Sequence, residues 1–254
     1  MLAVTNVGHV LTLEMQDVAK RNTLTSAMIA ALHQALLAAG DARVVILRAA
    51  PACTVWSAGF DIGALNTGID PLAATGPLLG LFNTIRDCPA PVIAMVHGSC
   101  WGGGTDLALR CDLLVADTTC TLAFTPGRIG LAYDTDGLRN IAARAGLGLA
   151  MEMMTTAEPI AADRGLARGL VQHVVAPDEL VAFTLAMAAR IASLAPLSVQ
   201  SAKRQLRALA SATVLPPEIQ DAIEAGRAAA LRSADFTEGL AAFHARRTPN
   251  FEGR

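Results

Sequence analysis

Aromatic residues make up only 4% of the 254-residue chain, and tyrosine occurs once. Charge is equally sparse, at 17% of residues against 53% hydrophobic, which excludes the highly charged, poorly hydrophobic composition of a disordered chain. The net charge of −2 lacks the basic excess that a nucleic-acid backbone or an anionic membrane surface selects, so neither is expected as a partner. No apolar run approaches the ~20 uninterrupted residues of a membrane-spanning helix. CxxC pairs are missing as well. The five cysteines, Cys53, Cys88, Cys100, Cys111 and Cys120, are odd in number and stand in or beside apolar segments. That pattern favours reduced, buried thiols in a cytoplasm-like compartment over a disulfide framework or a zinc site. The five histidines are scattered without metal-ligand spacing, and "MLAVTNVGHVLTLEM" has no basic segment of a secretory leader.

What is present is an alternation of strand and helix patterns. "AVTNV" and "HVLTLEM" read as paired strands about Gly8, and "LTSAMIAALHQALLAAG" as a helix capped by Thr25 or Ser26 and stopped by Gly40. "RVVILRA", "PVIAMVHG" and "DLLVAD" are continuous apolar runs of the kind buried in parallel sheets, and "CTLAF" reads as a further strand. A helix is expected around Leu78 to Arg86 and a short one over 103–110. From about Leu138 helices dominate, broken by one strand, "LVQHVVA" over 170–176. The order predicts an α/β protein, with residues 1–195 as the core and 196–254 as a helical appendage suited to packing against other subunits.

Two glycine loops each follow a buried strand: "WSAGFDIGAL" (56–65) and "VHGSCWGGGTDLAL" (96–109). A strand that turns into a helix presents unpaired N–H groups where the helix dipole favours negative charge. Either loop alone is equally well a tight turn. Together, at one edge of a parallel sheet, they can aim two backbone N–H groups at a single carbonyl oxygen.

These loops resemble the paired oxyanion-hole motifs of the crotonase family, also called the enoyl-CoA hydratase/isomerase family. The resemblance rests on "SAGFD", "GSCWGGGTDLALRCDLLVA", "VVILRA", "RGLVQHVV" and the tail "FHARRTPNFEGR", and runs over almost the whole chain. It implies a spiral of β-β-α units, a C-terminal helical trimerisation region in a trimer or dimer of trimers, and an acyl-CoA thioester as ligand. Coenzyme A is then part of the substrate and no separate cofactor is needed. The resemblance also implies that the N–H groups of Phe60 and Gly103 hold the thioester oxygen, with Ala58, Asp61, Ile62, Trp101 and Thr125 lining the substrate and CoA groove.

The family runs many reactions through one enolate. Its hydratases carry two glutamates, one where this chain has Asp106 and one where it has Thr125-Pro126, and hydration needs both an activated water and a proton donor. This chain looks more like the family's decarboxylating members, which act on methylmalonyl-type thioesters. It shares with them the patterns SAG-x-DI (57–62), "DPL" (70–72), a WGG-like "CWGGG", "TP" ahead of "IGLAYDTDG", which resembles their LG-x-x-Y, and R-x-PNF-x-G at 247–253. The resemblance implies that Asp106 and the loop residue Tyr133 border the substrate carboxylate, with Tyr133 hydrogen-bonding and orienting it. Two departures stand out: those members have Glu at the place of Asp106 and His at that of Phe60. Two readings remain besides decarboxylation, a hydratase or isomerase using Asp106 with Asp134 or Asp136, and a catalytically silent acyl-CoA-binding protein. Asp134 and Asp136 are also plausible turn residues. Trp56 and His97 are expected to be structural, and Arg246 and Arg247 either reach CoA phosphates or form a solvated basic end.

Overall fold

The computed structural model describes residues 1–65, 73, 76–210 and 215–254. Asp70-Pro71-Leu72 therefore lies outside the described residues. The chain begins with β1 (Leu2–Val7) and β2 (Val10–Met15), antiparallel and in register from Val7 opposite Val10 to Leu2 opposite Met15. Helix α1 (Ser26–Leu37) follows, and of the two candidate caps it is Thr25 whose hydroxyl accepts the Met28 N–H, at 3.2 Å.

Three further turns of the same β-β-α plan come next. Strands β3 (Val44–Ala49) and β4 (Val55–Ser57) lead to α2 (Pro77–Asp87), and β5 (Val92–Val96) and β6 (Ser99–Trp101) lead to α3 (Gly103–Arg110). Strands β7 (Leu113–Asp117) and β8 (Thr121–Ala123) lead to α4 (Thr135–Thr156), which is kinked at Gly146. The remainder is β9 (Ile160–Ala161), α5 (Ala162–Ala167), β10 (His173–Val175), α6 (Leu180–Ser193), α7 (Pro196–Ala210), α8 (Pro217–Leu231) and α9 (Ala234–Ala245). The long strands form a six-stranded sheet in the order β1-β2-β3-β5-β7-β10, parallel except for β1 against β2. The short strands form a second sheet, β4-β6-β8-β9, with β9 antiparallel to β8.

The apolar runs of β3 and β5 are buried on both faces, as their sequence predicts. Val45 and Leu47 point into the main core with α1 and α2, while Val44, Ile46, Ile93 and Met95 pack against Leu180 and Ala188 of α6. Three strands escape the sequence reading: β4, β6 and β9 have only two or three residues each, too short for alternation to register. The strand expected over 170–176 shrinks to β10, because the N–H groups of Leu170 and Val171 both turn back to the Gly165 carbonyl, at 2.9 and 3.2 Å.

Helix α7 is tied to the core by a buried ion pair. The Lys203 ammonium donates to the Ile85 and Ala90 carbonyls at 3.2 and 3.0 Å and meets Asp112 at 2.7 Å. Helix α9 buttresses the loop that will form one wall of the site: Gly239 packs so closely on Ile129 that an added Cβ would stand 2.4 Å from its carbonyl oxygen. No single helix among the described residues is long and apolar enough to cross a membrane.

Candidate active site

The two glycine loops meet. Gly59, at φ +87, leaves β4 so close to the end of β6 that a Cβ there would lie 2.4 Å from the Trp101 carbonyl oxygen and 3.2 Å from the Gly103 nitrogen. An alanine at 59 would be both strained and driven into backbone. The three consecutive glycines each answer a different demand. Gly102 takes φ +49 as it enters α3, a Cβ on Gly103 would stand 3.3 Å from the Phe60 nitrogen, and one on Gly104 would stand 2.7 Å from the Ser57 Cβ. Neither the Phe60 nor the Gly103 N–H has a hydrogen-bond partner among the described residues. Two donors therefore sit side by side, one of them at the start of a helix, where partial positive charge collects.

The cleft in front of them is lined by Gly59, Phe60, Leu78, Gly102, Gly103, Ile129 and Tyr133. It continues outward past Arg21, Asp61, Trp101, Arg128 and Phe243, with Ala58, Ile62 and Thr125 shared between the two stretches. Eight of the nine residues singled out from the sequence thus gather here, and the ninth, Asp106, is buried behind them. Among the described residues no carboxylate lines the inner cleft.

Asp106 sits in the first turn of α3 with no solvent exposure. One carboxylate oxygen accepts the Arg110 Nε–H at 2.9 Å, and the other accepts the Tyr133 hydroxyl at 2.7 Å. The Tyr133 hydrogen is thus committed to Asp106 and not pointed into the cleft. Its ring is held edge-on to Phe124, with centroids 5.4 Å apart. Burial, followed by the charge of Asp106, holds the Tyr133 phenol well above its usual range. Arg110 lies over the Phe82 ring and extends its second edge to Asp136, whose side chain is half exposed. Burial works against the guanidinium charge, but Asp106 and Asp136 outweigh it and hold Arg110 above its usual range.

The acids considered for hydration are otherwise engaged. Asp134 caps α4, accepting the Gly137 N–H at 2.9 Å, and Asp136 pairs with Arg110. Burial raises the Asp134 carboxyl, partly offset by that cap bond. His97 bonds the Cys53 carbonyl at 2.7 Å and the Trp56 indole donates to the Met95 carbonyl at 2.8 Å, so both are structural, as expected. Arg247 is clamped by Glu238, while Arg246 occupies the left-handed cap of α9. All five cysteines are free and buried. No group of three or more metal-ligating side chains exists among the described residues. The sequence reading missed Arg21, Arg128 and Phe243 on the outer cleft, and Arg110 behind it.

A family model for enoyl-CoA hydratase/isomerase matches residues 5–254. The chain belongs to that family. It is 38% identical over 253 residues to methylmalonyl-CoA decarboxylase of Escherichia coli K12, covering 98% of this chain and 97% of the relative. The 2,3-dehydroadipyl-CoA hydratase of the same organism is 29% identical, covering 100% and 99%. A solved methylmalonyl-CoA decarboxylase in complex with 2-nitronate-propionyl-CoA superposes with a TM-score of 0.97 at 38% identity, over 100% of this chain and 98% of that one. An enoyl-CoA hydratase from Mycobacterium avium subsp. paratuberculosis K-10 gives 0.81 at 29% identity, over 99% and 98%. The crotonase-like β-β-α spiral read from the sequence is therefore the fold of the family.

Proposed function

We propose that this protein is a crotonase-family lyase that decarboxylates methylmalonyl-CoA or a related malonyl-type thioester. The observation that carries this reading is the inner cleft: among the described residues two unpaired backbone N–H groups belong to its lining, and no carboxylate does. Hydration needs side chains that activate water and deliver a proton, whereas decarboxylation needs an electron sink and orientation. The thioester oxygen lies between the Phe60 and Gly103 N–H groups. The bond from the α-carbon to the carboxylate stands perpendicular to the thioester plane, and as it breaks its electron pair enters the enolate while CO₂ leaves. Water then supplies the proton to the α-carbon.

Tyr133 borders the carboxylate. The resemblance implies a hydrogen bond from Tyr133 to that carboxylate, but in this structure the phenolic hydrogen goes to Asp106, which leaves the ring and the oxygen to border the subsite without a donor. The ground state is therefore left unstabilised, while the enolate finds its donors in place. Replacing Phe60 by another residue retains the main-chain donor, so the absence of a histidine there does not remove the oxyanion site. Tyr133→Phe keeps the ring and loses the oxygen. The expected result in steady-state kinetics is a kcat lower by about 10- to 100-fold with KM nearly unchanged.

The same reading makes the protein a trimer or dimer of trimers in the cytoplasm, with coenzyme A as part of the substrate and no other cofactor. It is supported by exposed apolar side chains on α4 and α7: Leu147, Met151, Leu206 and Leu209 are 56 to 73% exposed. The relatives that are hydratases favour one alternative, and a single experiment separates them. Purified protein is incubated with methylmalonyl-CoA and, separately, with crotonyl-CoA, and the thioesters are followed by mass spectrometry. Propionyl-CoA from the first alone supports the decarboxylase. Hydration of the second alone supports the hydratase, and turnover of neither supports a silent binding protein.

A further inference from the structure

Arg110 has no part in the reading above, yet it occupies a position from which it controls the pair that does. Four side chains form one chain of contacts running from the cleft wall to solvent: Tyr133 to Asp106, Asp106 to Arg110, and Arg110 to Asp136. Only the last is substantially exposed. An aspartate with no solvent exposure is stable as an acceptor only when a cation and hydrogen bonds compensate it. Arg110 supplies both, one helical turn away, by the 2.9 Å bond from its Nε–H.

We propose that Arg110 is a positioning residue: by holding Asp106 as a pure acceptor it fixes the direction of the Tyr133–Asp106 hydrogen bond and keeps the phenolic hydrogen out of the carboxylate subsite. Without Arg110 nothing holds the Asp106 carboxylate in that orientation, and the Tyr133–Asp106 bond loses its single arrangement. The Tyr133 hydrogen is then free to swing toward the substrate carboxylate and stabilise it before the bond breaks. The other groups around this centre are Asp134 and Asp136 at the start of α4, Arg144 further along it, which donates to the Cys111 carbonyl, and Arg86 of α2. Asp134 is occupied by the α4 cap, Asp136 takes the outer edge of Arg110, and Arg86 is bonded to Asp87 at 2.8 Å. None of them replaces the Arg110 bond to Asp106.

The sole tyrosine makes this measurable without any substrate. Protein grown with 3-fluorotyrosine carries one ¹⁹F resonance, at position 133. In the wild type that resonance is expected to be one narrow line, since ring and hydroxyl are held in a single arrangement. In Arg110→Gln it is expected to shift and broaden as that arrangement is lost. Arg110→Lys, which keeps the charge but not the Nε–H bond to Asp106, should shift less than the Gln variant yet measurably from wild type, and serves if the Gln variant does not fold. Asp136→Asn, which leaves Arg110 on Asp106, should keep the wild-type line.

The kinetic arm rests on the decarboxylase reading. Arg110→Gln should lose about tenfold or more in kcat with KM little changed, partly restored in Arg110→Lys. Superimposable ¹⁹F spectra of wild type and the Arg110 variants would overturn the proposal. So would an Asp136→Asn spectrum matching that of Arg110→Gln. Failure to release CO₂ from methylmalonyl-CoA would instead overturn the reaction assigned above and leave the ¹⁹F result standing.

Discussion

Gly103→Pro is expected to lower kcat/KM by about 100- to 1,000-fold, equivalent to about 2.7–4 kcal/mol, the loss typical of removing one donor from an oxyanion hole. Proline deletes the N–H and puts its ring Cδ on the same nitrogen, where the thioester oxygen would sit. Gly103 is the first residue of α3, a place where helices accept proline because its N–H has no intrahelical acceptor. The nearest atoms an added Cβ would meet are the Phe60 nitrogen at 3.3 Å, the Phe60 Cβ at 3.6 Å and the Leu78 Cδ2 at 3.7 Å, so small adjustments admit that carbon. Circular dichroism should show an intact fold, and the loss should appear in kcat/KM, because donor and room for the oxygen go together. A folded variant with wild-type turnover would remove Gly103 from the site.

Asp112→Ala is expected to destabilise the fold by about 3–5 kcal/mol, as when one partner of a buried ion pair is removed. Asp112 meets Lys203 at 2.7 Å and Arg207 at 2.9 Å, and also accepts the Val92 N–H at 2.8 Å. Its removal leaves the buried Lys203 ammonium with only two carbonyls and loosens α7 from the core. At about 2–4 °C per kcal/mol for a chain of this size, the melting temperature should fall by about 10 °C. Replacing Lys203 by methionine in the same variant should recover much of that loss, because it removes the orphaned charge along with its partner. A melting curve unchanged by Asp112→Ala would show that the pair contributes nothing net.

Which parts of this protein are legible in its sequence follows from the reach of each physical signal. Runs such as "RVVILRA" and "PVIAMVHG" announce buried parallel strands because both faces must be apolar, and β3 and β5 are buried on both. The β-β-α repeat is visible only in part, since β4 and β6, the second strands of the two middle units, are three residues long and hidden in glycine loops. The oxyanion donors are main-chain atoms. Nothing in the residue type at 60 reports them, and what betrays them is missing side chains at 59 and 102–104.

Asp106 and Arg110 stand four residues apart on one helix, a spacing that predicts contact. The contact becomes informative only when Tyr133, distant in sequence, is seen to share the same carboxylate. Asp134 and Asp136 show the converse. Their sequence reads equally as spare catalytic acids or as turn chemistry, and the cap on Gly137 together with the pairing to Arg110 accounts for both. The outer-cleft residues Arg21, Arg128 and Phe243 come from three distant segments that no local pattern joins.

The most direct test of the account is to run the reaction with methylmalonyl-CoA in D₂O and weigh the product. Loss of CO₂ through a solvent-quenched enolate predicts propionyl-CoA carrying one deuterium on the α-carbon. Intact methylmalonyl-CoA, with crotonyl-CoA hydrated under the same conditions, would contradict it.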